Sequence, residues 1–381
     1  MKYNNYLLFA ILLSYSLPLS AQQTLYKSIT HDNMQRTYNL YIPASYNAAD
    51  SVPLLLCFHG YTSSANTIMF YTNFQAIADT AGFIVAYPQG TILPGTGNTH
   101  WNVGGWTTAS TVDDVGFTAA LLDTISADYS INQDRIYSTG MSNGGYMSFL
   151  LACQLSHKIA AIASITGSMT PQMYSACNPQ HPMPALQMHG TSDGTVPYNG
   201  DPTWTKSISD VIQYWTNYNQ ASSTAAFSAM PNTNTSDGST VERYAYLNGD
   251  SCSQVEHYKV LGGGHDWPGA WGNMDISASK VVWNFVSQYD INGRIQCSPA
   301  TSIYAQAKPS LDYRIFVRNA SLQVSHDFTQ VLDFEIYALD GRLLKSGQVN
   351  SAVQEIDLGD LSKGLYFFRM GGKTKKFMVF Y

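Results

Sequence analysis

The sequence predicts an α/β protein: a doubly wound, mostly parallel sheet followed by a small C-terminal β-sandwich. Three observations predict it. Between residues 52 and 289, short apolar runs alternate with helix-length runs, which is the pattern of successive βαβ units. One apolar run, Arg135-Ile136-Tyr137-Ser138, enters Gly140-Met141-Ser142-Asn143-Gly144 and leaves as Tyr146-Met147-Ser148-Phe149-Leu150-Leu151-Ala152, reading as strand, sharp turn and helix. After Cys297 the periodicity stops, and beyond residue 310 only short strands follow.

Taken in order, residues 1–21 read as a signal peptide, with Lys2, the apolar stretch Tyr6-Leu7-Leu8-Phe9-Ala10-Ile11-Leu12-Leu13, then Pro18 and the small pair Ser20-Ala21. That stretch is too short to cross a bilayer, and no later segment offers about 18 unbroken apolar residues. The α/β domain is expected over 22–297. Arg36-Thr37-Tyr38-Asn39-Leu40-Tyr41-Ile42 alternates as a half-exposed strand that Pro43 ends. Val52-Pro53-Leu54-Leu55-Leu56-Cys57-Phe58 is continuously apolar, as strands covered on both faces are, and it makes Cys57 a core thiol. Helices are expected over 71–81, 114–129, 206–218 and 276–289, with strands over 82–88, 159–165, 183–189 and 255–260. Asp113-Asp114 opens its helix as an N-cap. The stretch 90–112 is long for a connector and holds His100, Trp101 and Trp106, so it reads as the wall of a cleft. The alternative is that its tryptophans only pin the loop to the body. Residues 298–310 read as a linker and 311–381 as the sandwich, with Asp340-Gly341 and Gly371-Gly372 as hairpin turns.

The 381 residues are 45% hydrophobic and only 12% charged, which allows a sizeable core and argues against disorder. A net charge of -6 gives no basic surface for nucleic acid, and a neutral substrate fits better. The five cysteines lack C-x-x-C metal spacing and suit an oxidising compartment. We expect Cys153 paired with Cys177 and Cys252 with Cys297, leaving Cys57 reduced.

A serine hydroxyl becomes a nucleophile when a base takes its proton, and the base needs a carboxylate to orient it. Ser142 lies in a G-x-S-x-G on a strand-to-helix turn, which lifts its hydroxyl clear of the sheet edge. Asp193, in Gly190-Thr191-Ser192-Asp193-Gly194, and His265, in Gly262-Gly263-Gly264-His265-Asp266-Trp267-Pro268-Gly269, each follow a strand. The order Ser142, Asp193, His265 is that of an α/β-hydrolase. Asp201 and Asp266 are alternative acids, and His181, His189 and His257 alternative bases. His189 reads more simply as a hydrogen-bonded structural histidine, and His257 falls within a strand. Oxyanion donors are expected at the backbone N–H of Asn143 and of Tyr61. Trp101, Trp106 and Trp267 are the candidate substrate-binding side chains. No cofactor or metal is expected.

Residues 24–297 resemble the extracellular polyhydroxybutyrate depolymerase and feruloyl/acetylxylan esterase group, the carbohydrate esterase family one lineage. The likeness is carried by Arg36-Thr37-Tyr38, His59-Gly60, Trp101-Asn102, Val112-Asp113-Asp114-Val115-Gly116-Phe117, Gly140-Met141-Ser142-Asn143-Gly144-Gly145, His189-Gly190-Thr191-Ser192-Asp193 and Gly263-Gly264-His265-Asp266-Trp267-Pro268-Gly269. The tail resembles the sorting domain of the type IX (Por) secretion system in Asp340-Gly341-Arg342 and Leu361-Ser362-Lys363-Gly364-Leu365-Tyr366, with Lys308-Pro309-Ser310 where such tails usually carry Pro-Asn-Pro. These resemblances imply a secreted or cell-surface serine esterase without nucleic-acid partner or membrane span. Its substrate would be an ester-bearing polysaccharide, with polyester as the rival, and its export partner the type IX machinery. A carbohydrate-binding protein using Trp101, Trp106, Trp204, Trp267 and Trp271, and a peptidase, are the remaining readings.

Overall fold

The computed structural model of the chain describes residues 22–297, 313–318, 320–326, 331–338, 342–370 and 373–380. The expected signal peptide, the linker over 298–310, and the turn residues Asp340-Gly341 and Gly371-Gly372 lie outside the described residues. The chain divides into two compact units, with the boundary between residues 299 and 300.

The first unit runs β1 (Gln23–His31), β2 (Met34–Ile42), β3 (Val52–Phe58), α1 (Ala65–Thr72), α2 (Phe74–Ala81), β4 (Ile84–Pro88), β5 (Thr91–Ile92), β6 (Thr99–His100), α3 (Asp114–Asp128), β7 (Ile131–Met141), α4 (Asn143–Gln154), β8 (Ala161–Ile165), α5 (Pro171–Ala176), β9 (Ala185–Gly190), α6 (Ile208–Tyr218), β10 (Ala226–Ala229), β11 (Thr240–Tyr246), β12 (Val255–Leu261), α7 (Ala278–Val286), β13 (Tyr289–Asp290) and β14 (Gly293–Arg294). Ten strands form one sheet in the order β1-β2-β4-β3-β7-β8-β9-β12-β11-β10. From β4 to β12 every neighbouring pair is parallel, and antiparallel strands flank both edges. The connection order reverses at β3, with β4 on one side and β7 on the other. Ligands of such sheets bind outside the carboxyl ends of the strands at this switch point.

The sheet has a core on each face, because alternate residues of a strand point opposite ways. Leu54, Leu56 and Phe58 of β3 join the cluster holding Phe117, Leu121, Phe149 and Trp215 of α3, α4 and α6. Leu55 and Cys57 join the cluster of Ile68, Phe74, Trp283 and Phe285 from α1, α2 and α7. Cys57 is a buried free thiol, and the disulfides are Cys153–Cys177 and Cys252–Cys297, as expected. Trp283 stacks on Phe83 with ring centroids 3.6 Å apart and fixes α7 to the segment entering β4. Burying one such side chain contributes about 1.5–3 kcal/mol.

The expected helix over 71–81 is two helices. Asn73 adopts a left-handed conformation with φ 46°, which its short polar side chain tolerates, and its N–H donates to Met69 O to close α1. β1, β10 and β11 were not anticipated. β1 and β10 are the two edge strands of the sheet, and β11 pairs β10 to β12; all four residues of β10 are exposed, so the hydrophobic pattern that marks a core strand is missing there.

The second unit consists of β15 (Tyr313–Arg318), β16 (Ser321–His326), β17 (Leu332–Ala338), β18 (Leu343–Val349), β19 (Val353–Asp357), β20 (Gly364–Met370) and β21 (Lys373–Val379). They form a three-stranded sheet β15-β16-β19 and a four-stranded sheet β18-β17-β20-β21. Leu322, Val324, Phe334, Ile336, Ile356, Phe368 and Met370 lie between them, as inward positions of a β-sandwich do. Among the described residues, no helix of the chain is long and apolar enough to cross a membrane.

Candidate active site

Ser142 sits between β7 and α4 with φ 55° and ψ −120°, a conformation L-residues avoid unless their surroundings enforce it. Close packing enforces it. A Cβ on Gly144 would lie 1.9 Å from Phe58 O, and one on Gly140 would lie 2.5 Å from the Gly144 carbonyl. The elbow therefore accepts only glycine at both positions, and it hydrogen-bonds forward, with Ser142 N–H donating to Ile165 O at 2.8 Å. Ser142 is half-buried. Gly60 abuts it, since a Cβ built there would stand 3.4 Å from Ser142 Cβ. This contact brings the loop after β3 against the serine. The Asn143 N–H lies in the first turn of α4, where no intrahelical acceptor exists, and the Tyr61 N–H has no hydrogen-bond partner among the described residues.

Asp193 follows β9 and His265 follows β12, so both lie beyond the same sheet edge as Ser142. Their loops are fastened together: Thr191 N–H donates to Val260 O and Ser192 N–H to Gly263 O, both at 2.9 Å. A Cβ on Gly190 would lie 2.3 Å from Gly263 O, so only glycine lets the loops meet this closely. His265 Nδ1 stands 2.8 Å from Asp193 Oδ2, with the carboxylate fully buried and the imidazole partly exposed. Asp193 Oδ1 accepts from Thr195 N–H and Val196 N–H, both at 2.8 Å. Burial opposes ionisation of Asp193, but hydrogen bonds from His189, His265 and Val196 outweigh it and hold the carboxyl well below the ordinary range. His265 is thereby held with Nδ1 towards Asp193 and Nε2 on the far side of the ring.

His189 has a part the sequence did not reveal. It is fully buried, and its Nε2 is 2.8 Å from Val196 O and 3.3 Å from Asp193 Oδ2. Gln187 Nε2 donates to its Nδ1 at 3.0 Å, which fixes the Nε2–H tautomer. The expected structural histidine is thus also a support of the acid. The available signal was its position four residues before Asp193, across one tight turn.

The tryptophans need correction. Trp101 is fully buried, donates from Nε1 to His59 O at 2.9 Å, and is held through its backbone by the Asn143 side chain. Trp267 is likewise buried, donates to Ser279 Oγ at 3.1 Å, and packs on Tyr71 and Phe74. Both indoles are thus committed to the packing of the unit. Trp106 is half-buried and stands edge-on to Tyr61 and Tyr146, with centroids at 5.6 and 6.3 Å, so this ring does reach the region beside the serine.

The other motif residues are scaffolding. Asp114 is buried, accepting from Arg36 Nη2 at 2.6 Å and Asn102 N–H at 2.7 Å, while Asp113 caps α3 through Gly116 N–H. Asp266 accepts from Gly264 N–H within its own loop. His257 donates towards Gln187 O and accepts from Tyr198. Among the described residues, one cluster of potential metal donors exists, His31 with Asp32 and Asp113, at the β1–β2 turn; Asp113 is committed to its cap.

The strained serine between β7 and α4, with Asp193 and His265 on later strand ends of one mostly parallel sheet, defines an α/β-hydrolase fold. Residues 36–196 match the family model of the esterase PHB depolymerases, and residues 318–379 match that of the secretion system C-terminal sorting domain. The resemblances read from the sequence therefore hold, and the sorting domain marks a secreted or cell-surface protein. The chain is 29% identical over 263 residues to a bifunctional acetylxylan esterase/xylanase of Neocallimastix patriciarum, covering 69% of this chain and 35% of that protein. It is 29% identical over 259 residues to feruloyl esterase B of Piromyces equi, covering 65% of this chain and 44% of that one. The chain thus spans less than half the length of these two relatives. An acetyl xylan esterase from Aspergillus awamori shares the fold at a TM-score of 0.50 and 14% identity, over 69% of this chain and 99% of that structure.

Proposed function

We propose that the chain is a secreted serine esterase that removes feruloyl or acetyl groups from plant polysaccharide. Ser142 is the nucleophile, His265 the general base and then acid, and Asp193 the group that orients and stabilises the imidazolium. His265 Nε2 takes the Ser142 proton as Oγ attacks the acyl carbon. The oxyanion is met by the N–H groups of Asn143 and Tyr61, each contributing about 2.7–4 kcal/mol if it acts as such donors do. The alcohol leaves with the proton from His265, and water repeats the cycle on the acyl-enzyme. Trp106 and Tyr61 form the aromatic wall that an acyl group would contact.

The observation that carries this reading is the 2.8 Å contact between Asp193 and His265, on loops that share the sheet edge with the strained Ser142. The two relatives named for acetylxylan and feruloyl ester chemistry support the acyl classes. The match to the esterase PHB depolymerase model favours a second reading, hydrolysis of a hydroxyalkanoate polyester by the same groups. A panel of methyl ferulate, acetylated xylan, short polyhydroxybutyrate and a peptide tests both. The first reading expects turnover of ferulate or acetylxylan; turnover of the polyester alone would replace it with the second, and cleavage of the peptide alone would reject both. Export through the type IX machinery is proposed from the sorting-domain match.

A further inference from the structure

A concavity that Ser142 does not line lies on the face of the sheet covered by α6. It encloses ≈ 420 Å³ between α6 and strands β11 and β12, within the range of small-ligand sites. Its walls are Tyr198, Tyr244 and Tyr246 on one side and Ser209, Gln213 and Asn217 of α6 on the other. Ser209 to Asn217 spans roughly 12 Å of helix axis, so the depression is an extended groove. Two features make it more than a gap in the packing. Thr216, which also lines it, is 4% exposed and keeps a buried hydroxyl with no hydrogen-bond partner among the described residues. Other hydroxyls are unpaired among the described residues, but Thr216 is the one that lines this groove, where a water or a ligand group can meet it. The groove is also nearly neutral: His257 at its base is kept uncharged by burial, leaving Lys259 as the one fixed charge on its walls.

We propose that this groove binds a neutral oligosaccharide independently of the ester-cleaving centre. Aromatic faces beside amide and hydroxyl groups match the alternating C–H faces and hydroxyl edges of sugars. An anionic ligand would find one lysine, and a polyester segment could only accept from the Thr216 hydroxyl and the Gln213 and Asn217 amides, whereas a sugar hydroxyl can also donate to their oxygens. The inference goes beyond the esterase reading, because its ligand carries no ester.

The test is titration calorimetry of the full chain with an unesterified β-1,4-linked xylo-oligosaccharide, repeated with an oligomeric hydroxybutyrate. Tyr244→Ala removes a ring from the flanking strand β11. Ser209→Trp fills the groove from an exposed helix position and disturbs no core. Both should weaken xylo-oligosaccharide binding by roughly tenfold or more, as loss of one ring contact or of the space itself would. Both should leave kcat/KM on methyl ferulate unchanged. The proposal is overturned if the sugar fails to bind at millimolar concentration, if Ser209→Trp leaves its affinity intact, or if the hydroxybutyrate oligomer binds there instead. Failure of the unsubstituted chain to turn over both methyl ferulate and acetylated xylan would count against the esterase reading alone.

Discussion

Asp193 meets hydrogen-bond donors on both oxygens, and its carboxyl stays ionised far below neutrality, so it cannot be the group that titrates as an acidic medium shuts the enzyme down. On our account kcat/KM falls on the acid side because protonated His265 can no longer accept from Ser142; a pH profile with no acid limb would contradict it. Ser142→Ala and His265→Ala should each lower kcat on the order of 10⁶-fold without additivity. Asp193→Asn should cost on the order of 10⁴-fold by losing the correct histidine tautomer. Near-normal steady-state turnover of Asp193→Asn would move the acid elsewhere. His59 and His257 act on stability. Each accepts a hydrogen bond at Nε2, from Gly90 N–H and from Tyr198 respectively, and burial lowers each to about 4. The unfolded chain takes up these protons near 6.5 and the folded chain only near 4, so stability should fall as pH drops through that window, by on the order of 3 kcal/mol per histidine. Urea denaturation between pH 7.5 and 4 checks this, and His257→Gln should flatten the slope.

At the scale of elements, the elbow depends on glycine. Gly144→Ala forces a methyl group against the backbone oxygen of Phe58 at 1.9 Å and should cost more than the about 1–3 kcal/mol of ordinary overpacking. Purified yield and melting temperature would reveal it, and an unchanged melting temperature would refute the close approach. The two disulfides close 24 and 45 residues of chain, and reduction should lower stability by about 3–4 kcal/mol for each. What the sequence disclosed at this scale follows from physics. β3 was legible because a strand buried on both faces is continuously apolar, and β7 and β9 because the loops after them, like that after β12, carried the glycines that close approach demands. The α1/α2 break at Asn73 was not legible, since a single left-handed residue leaves the helical pattern intact. Nor was the fate of Trp101 and Trp267: an indole in a loop reads the same whether it faces a ligand or is drawn inward, as here by His59 O and Ser279 Oγ. The support His189 gives to Asp193 spans a turn, and contacts of that kind leave no periodic trace.

At the scale of the whole molecule, the chain couples an α/β-hydrolase unit to a β-sandwich whose sequence matches an export signal. The sandwich has its own core: among the described residues Tyr313, Phe334, Tyr366, Phe368 and Phe377 are buried, Tyr337 and Phe367 half-buried, and Phe316 and Phe380 exposed. Deleting residues 311–381 should therefore preserve kcat/KM on methyl ferulate and abolish secreted activity in a type IX-competent host. Lost pull-down on insoluble xylan or polyester, with export unchanged, would make the sandwich a binding module instead. The central claim is that Ser142 is an activated nucleophile. Fluorophosphonate labelling of the folded chain, mapped by peptide mass spectrometry, tests it most directly. The account predicts one adduct on Ser142, formed far more slowly in His265→Ala and absent in Ser142→Ala; a folded chain that takes no label at Ser142 would contradict it.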